Sequence, residues 1–317
     1  MKQKLAVVLV TFNRLDKLKI ALKCYENQTK DIEEVIVVDN GSSDGTKEFL
    51  NEWKEDKVNF KKSIVLLNEN TGGAGGFYAG MKTVLKNVHD DTLKIDWIFV
   101  SDDDAFPEND ALEKLCDYYE KISDKEKESI VALSGAVINQ GQIHESHRSR
   151  IEKSKFRVKF VGVSKEEYEK DAFDIDLFSY VGTMMKVTAL EKVGITNKDL
   201  FIYGDDNEHS IRLKKEGRLV CVTNSRFNHD TPGVGNRSVG WHNYYNRRNQ
   251  LYILKKYFPK RYLISRLLKR YIMDISFMSK YNKEERRLFK VAQNDALREK
   301  LGKHPIYKPG FHFKEYM

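Results

Sequence analysis

The chain predicts an α/β fold, a doubly wound, mostly parallel sheet flanked by helices. Apolar runs of strand length alternate with segments of helical periodicity over the first hundred residues. These strands are apolar on both faces, as strands are when helices cover a sheet from both sides. Each strand also runs into polar residues: Thr11, Asp39-Asn40, Asn68 to Asn70, and Asp102 to Asp104. Sheets of this kind bind ligands beyond the carboxyl ends of their strands.

"KLAVVLVTF" (4–12) is the first strand, and "LDKLKIALKCYENQ" follows with apolar residues at helical spacing. "EEVIVVDN" (33–40) is the second strand, "GSSDG" a turn, and "TKEFLNEWKE" a helix. "SIVLLNEN" (63–70) is the third strand, and a glycine-rich stretch leads to the helix "FYAGMKTVLKNV". "IDWIFVSDDD" (95–104) is the fourth strand, and "IVALSGAVI" (130–138) is another. Short strands and loops are expected from 142 to 180, then the strand-like "DLFSYVGTMMKV", the short helix "TALEKVG", and the strand "RLVCVTN". "HDTPGVGNRSVG" (229–240) is the most loop-like segment, "WHNYYNRRNQLYILKKYF" a helix, and 260–300 a set of basic helices.

Composition narrows the class. The 317 residues are 40% hydrophobic and 11% aromatic, enough for a sizeable core. The net charge of +8 is moderate, with Lys and Arg concentrated from Lys255 to Lys300. The 3 cysteines, Cys24, Cys116 and Cys221, lie far apart without a CxxC pair, which argues against a disulfide framework or zinc site and for a reducing compartment. No signal peptide is visible, and no apolar run reaches the roughly 18 residues of a membrane helix. The expected location is cytoplasmic.

The residues that suggest chemistry cluster at strand ends. Asp102, Asp103 and Asp104 repel one another unless a cation or solvent relieves them. In an extended segment Asp102 and Asp104 share a side and converge on a divalent ion, Mg²⁺ or Mn²⁺, which prefers oxygen ligands. The bland alternative, a solvated turn before a helix capped by Asp110 and Glu113, explains Asp110 but not the triplet. "NTGGAGGFYAG" (70–80) permits close backbone approach to a ligand and matches neither GxGxxG nor the Walker pattern. A flexible loop is the equal alternative. Asp39 suits hydrogen bonding to a base or ribose, or simply a turn. His229, after "LVCVTN", is either a metal ligand or structural. In "GDDNEHSIRLKKEG" (204–217), Asp205 fits an N-cap, Glu208 its N3 partner, and Gly217 the helix stop. Asp206 is then surplus, and a carboxylate facing a cleft can accept a proton from an alcohol.

In order, "VVLVTFNR", "VIVVDNGSSDGT", "NENTGGAGGFYAG", "WIFVSDDDAFPENDALEKL", "FIYGDDNEHSIRLKKEG", "FNHD" and "YYNRRNQ" resemble family 2 glycosyltransferases. The likeness is strongest to the bacterial branch of galactofuranosyl- and rhamnosyltransferases of surface polysaccharide assembly, and covers about Lys4 to Leu254. It implies a GT-A fold over 1–254, with a nucleotide-binding half (1–104) and an acceptor-binding half (105–254); the basic helical extension (255–317) lies outside the shared motifs. It implies inverting transfer from a nucleotide sugar, UDP-galactofuranose or dTDP-rhamnose, to a glycan that is often lipid-linked. Carried over by motif, Thr11, Asn13, Arg14, Asp39, Asn70, Gly72, Gly73, Asp102 and Asp103 would bind the donor. Asp102, Asp104 and His229 would hold Mn²⁺ or Mg²⁺, and Asp206 would be the catalytic base. Asp205, Glu208, Trp241 and His242 would shape the acceptor site.

The basic tail reads either as a packed extension or as a surface for an anionic membrane. Two rival functions remain at this point. A sugar nucleotidyltransferase would need a glycine- and lysine-rich loop after the first strand, where this chain has "TFNRLDKL". A nucleic-acid binder would use the tail, but no recognition motif is present and the acidic cleft repels phosphate. No nucleic-acid partner is expected.

Overall fold

The computed structural model describes residues 3–90, 92–231, 239–275 and 281–313. Residues 232–238 of the loop-like segment, and 276–280 of the basic tail, lie outside this range.

The first half follows the alternation read from sequence. The strands β1 (Leu5–Thr11), β2 (Glu34–Asp39), β3 (Lys61–Leu66) and β4 (Trp97–Asp102) are joined through the helices α1 (Leu15–Glu26), α2 (Thr46–Glu55) and α3 (Gly72–His89). They pair in parallel in the order β4-β1-β2-β3. Every residue of β1 and β2 is buried, as expected of central strands covered on both faces. One apolar layer contains Leu5, Val7 and Leu9 with Leu18, Leu22, Tyr25, Trp97 and Phe99. The opposite layer contains Ala6, Val8 and Val10 with Phe77, Met81 and Val84 of α3. The alternation of β1 side chains thus splits one strand between two cores.

The helix α3 begins at Gly72, five residues before the apolar periodicity suggests, and includes the glycine-rich stretch. The reason is close packing. A Cβ at Gly76 would lie 2.5 Å from Val10 Cγ1, and one at Gly80 would lie 2.2 Å from Val8 Cγ1. These glycines seat the helix on β1.

Beyond β4, a turn leads to β5 (Ala105–Pro107), α4 (Ala111–Lys121), α5 (Asp124–Ser129) and β6 (Ile130–Asn139). Asp110 occupies the N-cap position of α4 but makes no capping hydrogen bond; its carboxylate instead pairs with Lys114 at 2.8 Å. The short strand β7 (Gln142–Ile143) folds back on β6. β8 (Arg148–Lys153), β9 (Val158–Gly162) and β11 (Leu177–Phe178) form a separate small sheet, while β10 (Ala172–Ile175) joins the main one. β12 (Thr183–Lys186), α6 (Val187–Val193), α7 (Asp205–Leu213) and β13 (Arg218–His229) follow.

The main sheet has the order β10-β13-β6-β12-β4-β1-β2-β3. It is mixed: β12 runs antiparallel to both β4 and β6. The chain reaches β12 directly from β11 of the small sheet. The segment read as one strand over 176–187 is accordingly two, β11 and β12.

The C-terminal helices are α8 (Trp241–Tyr257), α9 (Lys260–Ile275) and α10 (Lys283–Leu297). α8 and α10 close a further apolar cluster in which Phe201, Tyr244 and Tyr245 pack with Leu288, Ala292 and Tyr307. α9 leaves Ile264, Leu268, Tyr271 and Ile272 exposed. Among the described residues no helix is long and apolar enough to cross a membrane.

Candidate active site

The end of β4 gathers the acidic triplet. β1 and β4 pair with Val10 opposite Asp102, so Thr11 and the loop after it stand beside Asp103 and Asp104. Asp103 and Asp104 form a turn between β4 and β5 rather than an extended continuation. The alternate-side geometry expected for Asp102 and Asp104 therefore does not occur; a turn brings the charges together instead.

The triplet is held from the β1 side. Thr11 Oγ1 donates to Asp103 Oδ2 at 2.7 Å. The Arg14 guanidinium donates from one nitrogen to Asp103 Oδ1 at 2.9 Å and Asp104 Oδ2 at 2.5 Å. Asn13, with a φ of 52°, ties this loop to the next: its Oδ1 accepts from the Ser43 amide at 2.7 Å, and its own amide donates to Ser42 Oγ at 2.9 Å. Asp39 Oδ1 accepts from the Ser42 amide at 2.9 Å, which is turn-forming behaviour.

The other side comes from β13. Its last residue, His229, pairs with Ala105 of β5, so the imidazole stands over the triplet. His229 Nε2 lies 3.3 Å from Asp104 Oδ1, while its buried Nδ1 has no hydrogen-bond partner. Lys17 pairs with Asp230 at 3.2 Å and extends the positive rim.

Electrostatics separate the three acids. Burial pushes the Asp102 carboxyl up to about 7, reinforced by Asp104 and Asp103. Burial also lifts Asp103 to about 6, against the pull of Arg14 and Thr11. Burial acts upward on Asp104 too, but the His229 hydrogen bond and Arg14 outweigh it and hold that carboxyl below its ordinary value. Crowded carboxylates of this kind attract a cation, and a guanidinium already faces two of them. The oxygen donors, with an imidazole alongside, suit a hard or borderline divalent ion.

The glycine-rich segment lies over the neighbouring strand ends. Asn40 anchors it: Oδ1 accepts from the Thr71 amide at 3.0 Å, and Nδ2 donates to Gly72 O at 2.9 Å. Asn70 Oδ1 accepts from the Gly72 amide at 2.8 Å. Gly72 has a φ of +74°, and a Cβ there would strike the Phe201 carbonyl oxygen at 1.9 Å. Its requirement is internal packing. At Gly73 a Cβ would meet nothing within 4 Å, so that residue faces open space.

The acidic cluster of α7 closes the region. Gly204, with a φ of +81°, occupies the N-cap position expected for Asp205, and the helix ends at Leu213, before Gly217. Asp205 is the first helical residue, 7% exposed. Burial and the adjacent Asp206 hold its carboxyl well above the ordinary range, and the charge of Asp102 is also felt there. Asp206 is half-buried, and its Oδ1 accepts from the Asn207 amide at 2.7 Å. Burial lifts its carboxyl to about 6, opposed by that bond and by the guanidinium of Arg148. A carboxylate with that affinity accepts a proton at neutral pH and releases it readily. Glu208 is 2% exposed. Its Oε2 accepts from Arg212 Nη2 at 2.9 Å, and its Oε1 accepts from the Tyr257 hydroxyl, so it ties α7 to α8.

Several residues that position this site had no local signal in the sequence. Arg148 is fully buried and donates to the carbonyls of Gly135, Val181 and Gly182. It braces three segments and lends positive charge to Asp206. Asn249 Nδ2 donates to the carbonyls of Leu200, Ile202 and Tyr203, at 2.9, 3.0 and 2.8 Å. Arg248 Nη2 reaches the Leu200 carbonyl at 3.0 Å. These bonds hold the loop entering α7, where Phe201 and Tyr203 both have a φ of 66°. Left-handed backbone at two non-glycine residues persists only when its surroundings over-determine it. Trp241 and His242 begin α8, and Trp241 packs against Tyr245 with ring centroids 6.0 Å apart. His209, behind the acids, bonds Tyr180 and the Gly194 carbonyl, which is a structural role.

Residues 6–194 match the family model described as "Glycosyl transferase family 2". Galactofuranosyltransferase GlfT1 of Mycolicibacterium smegmatis (strain ATCC 700084 / mc(2)155) is 24% identical over 225 residues, covering 69% of this chain and 68% of that protein. Galactofuranosyltransferase GlfT1 of Mycobacterium tuberculosis (strain CDC 1551 / Oshkosh) is 26% identical over 230 residues, covering 68% of this chain and 66% of that protein. Among solved structures, S. aureus TarS 1-349 in complex with UDP matches with a TM-score of 0.57 at 16% identity, covering 93% of this chain and 80% of that one. GalNAc-T7 with UDP, GalNAc and Mn²⁺ matches with a TM-score of 0.59 at 15% identity, covering 94% and 56%. The two structural likenesses support a GT-A-like fold. With more than half of its length matched by the family model, the chain belongs to glycosyl transferase family 2 and is a glycosyltransferase.

Proposed function

We propose that this chain is an inverting, metal-dependent transferase that moves galactofuranose from UDP to a hydroxyl of a growing, lipid-linked surface glycan. The observation that carries this reading is Asp206: a half-buried carboxyl lifted to about 6, in a cluster that feels the charge of Asp102. A proton acceptor and a cation-attracting acidic turn thus share one region beyond the strand ends. Similarity to galactofuranosyltransferases supports the choice of sugar.

The donor reading assigns Thr11, Asn13, Arg14, Asp39, Asn70, Gly73 and Asp103 to the nucleotide side and Asp102, Asp104 and His229 to the metal. Gly72 acts there by packing. A bound divalent ion would neutralise charge on the departing diphosphate. Asp206 accepts the proton of the acceptor hydroxyl, whose oxygen attacks the anomeric carbon from the face opposite the diphosphate. One displacement inverts the configuration and needs no nucleophilic side chain. Burial and the adjacent Asp206 hold the Asp205 carboxyl well above the ordinary range, so Asp206 is the base of the pair. Trp241 and His242 lie on the acceptor side, and Glu208 contributes by holding α7 against α8.

Thermal unfolding with UDP or dTDP, each with and without Mn²⁺, tests the donor. A ligand at a hundred times its Kd adds about 2.7 kcal/mol to stability. The expected result is a Mn²⁺-dependent shift with UDP that Asp104→Ala removes. A shift with dTDP alone would replace the sugar with rhamnose, and no shift with either nucleotide would remove the donor site.

The lipid-linked acceptor places the chain at a membrane surface on the cytoplasmic side. α9 supplies the face, with exposed Ile264, Leu268, Tyr271 and Ile272. From Lys255 to Met273 the chain has seven Lys or Arg and no Asp or Glu. Apolar side chains flanked by unopposed positive charge suit an anionic bilayer. Co-sedimentation with phosphatidylglycerol vesicles should fall sharply in the double variant Leu268→Glu, Ile272→Glu; unchanged binding would reject this surface.

A further inference from the structure

The β8–β9 hairpin and α9 enclose a groove that no step of the transfer chemistry uses. The hairpin turns tightly over 154–157, where the Ser154 amide donates to the Arg157 carbonyl at 2.8 Å. Its register pairs Ile151 with Phe160 and Lys153 with Val158, so Ile151, Val158 and Phe160 share one face. That face packs with Leu254, Phe258 and Tyr262 and seats the hairpin against the start of α9. Phe156, at the turn, remains 55% exposed. On α9, Ile264, Leu268 and Ile272 recur at every fourth residue and are exposed as well. Phe156 and this stripe line a groove of about 680 Å³, within the size range of sites that hold small ligands.

One end of the groove is basic. Phe156, Ser265 and Lys269 continue into a smaller cavity that Arg157 and Arg266 also line. Arg266 is half-buried, and burial and the guanidinium of Arg157 hold it below its ordinary value. Two guanidiniums that feel each other repel unless an anion relieves them. The flanking sequence supplies none: Lys153 to Lys165 has five Lys or Arg and no Asp or Glu, and Lys255 to Met273 has seven and none. Guanidiniums meet phosphate oxygens through paired, charge-assisted hydrogen bonds, so the cavity suits a phosphate-bearing group. Three cations in one small space match a diphosphate better than the single charge of an ordinary anionic lipid.

We propose that Arg157, Arg266 and Lys269 hold the diphosphate of a lipid carrier, while Phe156, Ile264, Leu268 and Ile272 hold its hydrocarbon chain. The inference rests on the reading of the acceptor as lipid-linked, and it gives that acceptor a second point of attachment. The apolar part of the groove is the face of α9 that meets the bilayer, so the chain passes from one to the other without crossing water. α8 connects the groove to the acceptor side. Leu254 lines the basic cavity, and Trp241 begins the same helix about 20 Å away along its axis. The glycan between the diphosphate and the accepting hydroxyl spans that separation.

Calorimetric titration of the full-length protein with geranylgeranyl diphosphate, below its micelle concentration and in EDTA, tests the site. EDTA keeps the diphosphate from a metal-dependent donor region. The wild type should bind one lipid diphosphate per chain, at least about tenfold more tightly than inorganic diphosphate, a difference that burial of two methylene groups already supplies. The double variant Arg157→Gln, Arg266→Gln should lower that affinity by at least about tenfold, because charge-assisted pairs are lost. Arg157 is exposed and Arg266 half-buried, so the glutamines should leave the unfolding midpoint in place. Lys165→Gln, Lys260→Gln removes the same charge from exposed positions outside the cavity and should change the affinity by less than about twofold. Phe156→Ser should weaken the lipid diphosphate and leave inorganic diphosphate unchanged. Absence of binding by the wild type would overturn the proposal, as would equal losses in the two double variants or equal affinity for the two diphosphates. Transfer by the wild type to a lipid-linked and to a lipid-free glycan tests the acceptor reading separately. Equal rates there, with the groove binding as expected, would fault that reading and leave the groove as a lipid diphosphate site.

Discussion

Asp206→Asn should reduce sugar transfer by about 10²–10⁴-fold, the usual contribution of a positioned general base, while UDP binding stays close to wild type. The amide keeps the size of the side chain and its acceptor oxygen for the Asn207 amide, so the start of α7 should remain in place. What it loses is the ability to take a proton. The pH profile gives an independent check. With the Asp206 carboxyl lifted to about 6, the base is ionised above that pH and protonated below it. Wild-type turnover should therefore fall as pH drops through about 6, and the variant's residual rate should lack that limb. Equal turnover in the two proteins, measured by product formation under saturating substrate, would remove Asp206 from the chemistry.

Asn249→Ala should destabilise the protein by about 2–4 kcal/mol and lower turnover more than it weakens UDP binding. The truncation leaves the carbonyls of Leu200, Ile202 and Tyr203 without their shared donor. An unsatisfied buried polar group costs about 1–3 kcal/mol, and part of that loop is open to water, which moderates the sum. The same loop has left-handed backbone at Phe201 and Tyr203 and ends in the glycine preceding Asp205. Once released, it relaxes and moves the carboxylates of α7. Denaturant unfolding measures the first effect, and separate kcat and UDP titrations measure the second. Normal stability with normal kcat would show that the loop holds its shape without Asn249.

Both effects depend on a division of labour across the sheet. The acidic turn is fastened to β1 by Thr11 and Arg14, whereas the candidate proton acceptor, Asp206, is fastened to α8 through the loop before α7. The C-terminal helices, which read in sequence as a basic appendage, thus support the candidate catalytic carboxylate. Lys303 extends the connection to the other side, pairing with Glu69 at 2.8 Å and donating to the Asn70 carbonyl at 3.0 Å. The tail touches both regions of the site.

What the sequence determined by itself was the periodic part. Continuous apolar runs at 4–12, 33–40 and 95–104 are enough to bury strands on both faces, and polar residues at their ends mark the ligand-binding edge. The unusual local compositions, three adjacent aspartates and the paired acids at Asp205 and Asp206, were legible because each is costly without a cation or a proton to relieve it. Tertiary structure decided the rest. The direction of β12, antiparallel to both of its neighbours, is not encoded in its apolar run. Gly76 and Gly80 looked suited to a ligand, but the side chains of Val10 and Val8 fill the space in front of them. His144 and His147 meet His229 only through two strand registers. Arg148 and Asn249 carried no sequence signal, because their partners are backbone carbonyls, and every residue has one. Charge crowding is local and can be read along a chain; a carbonyl gains a partner only when distant segments come together.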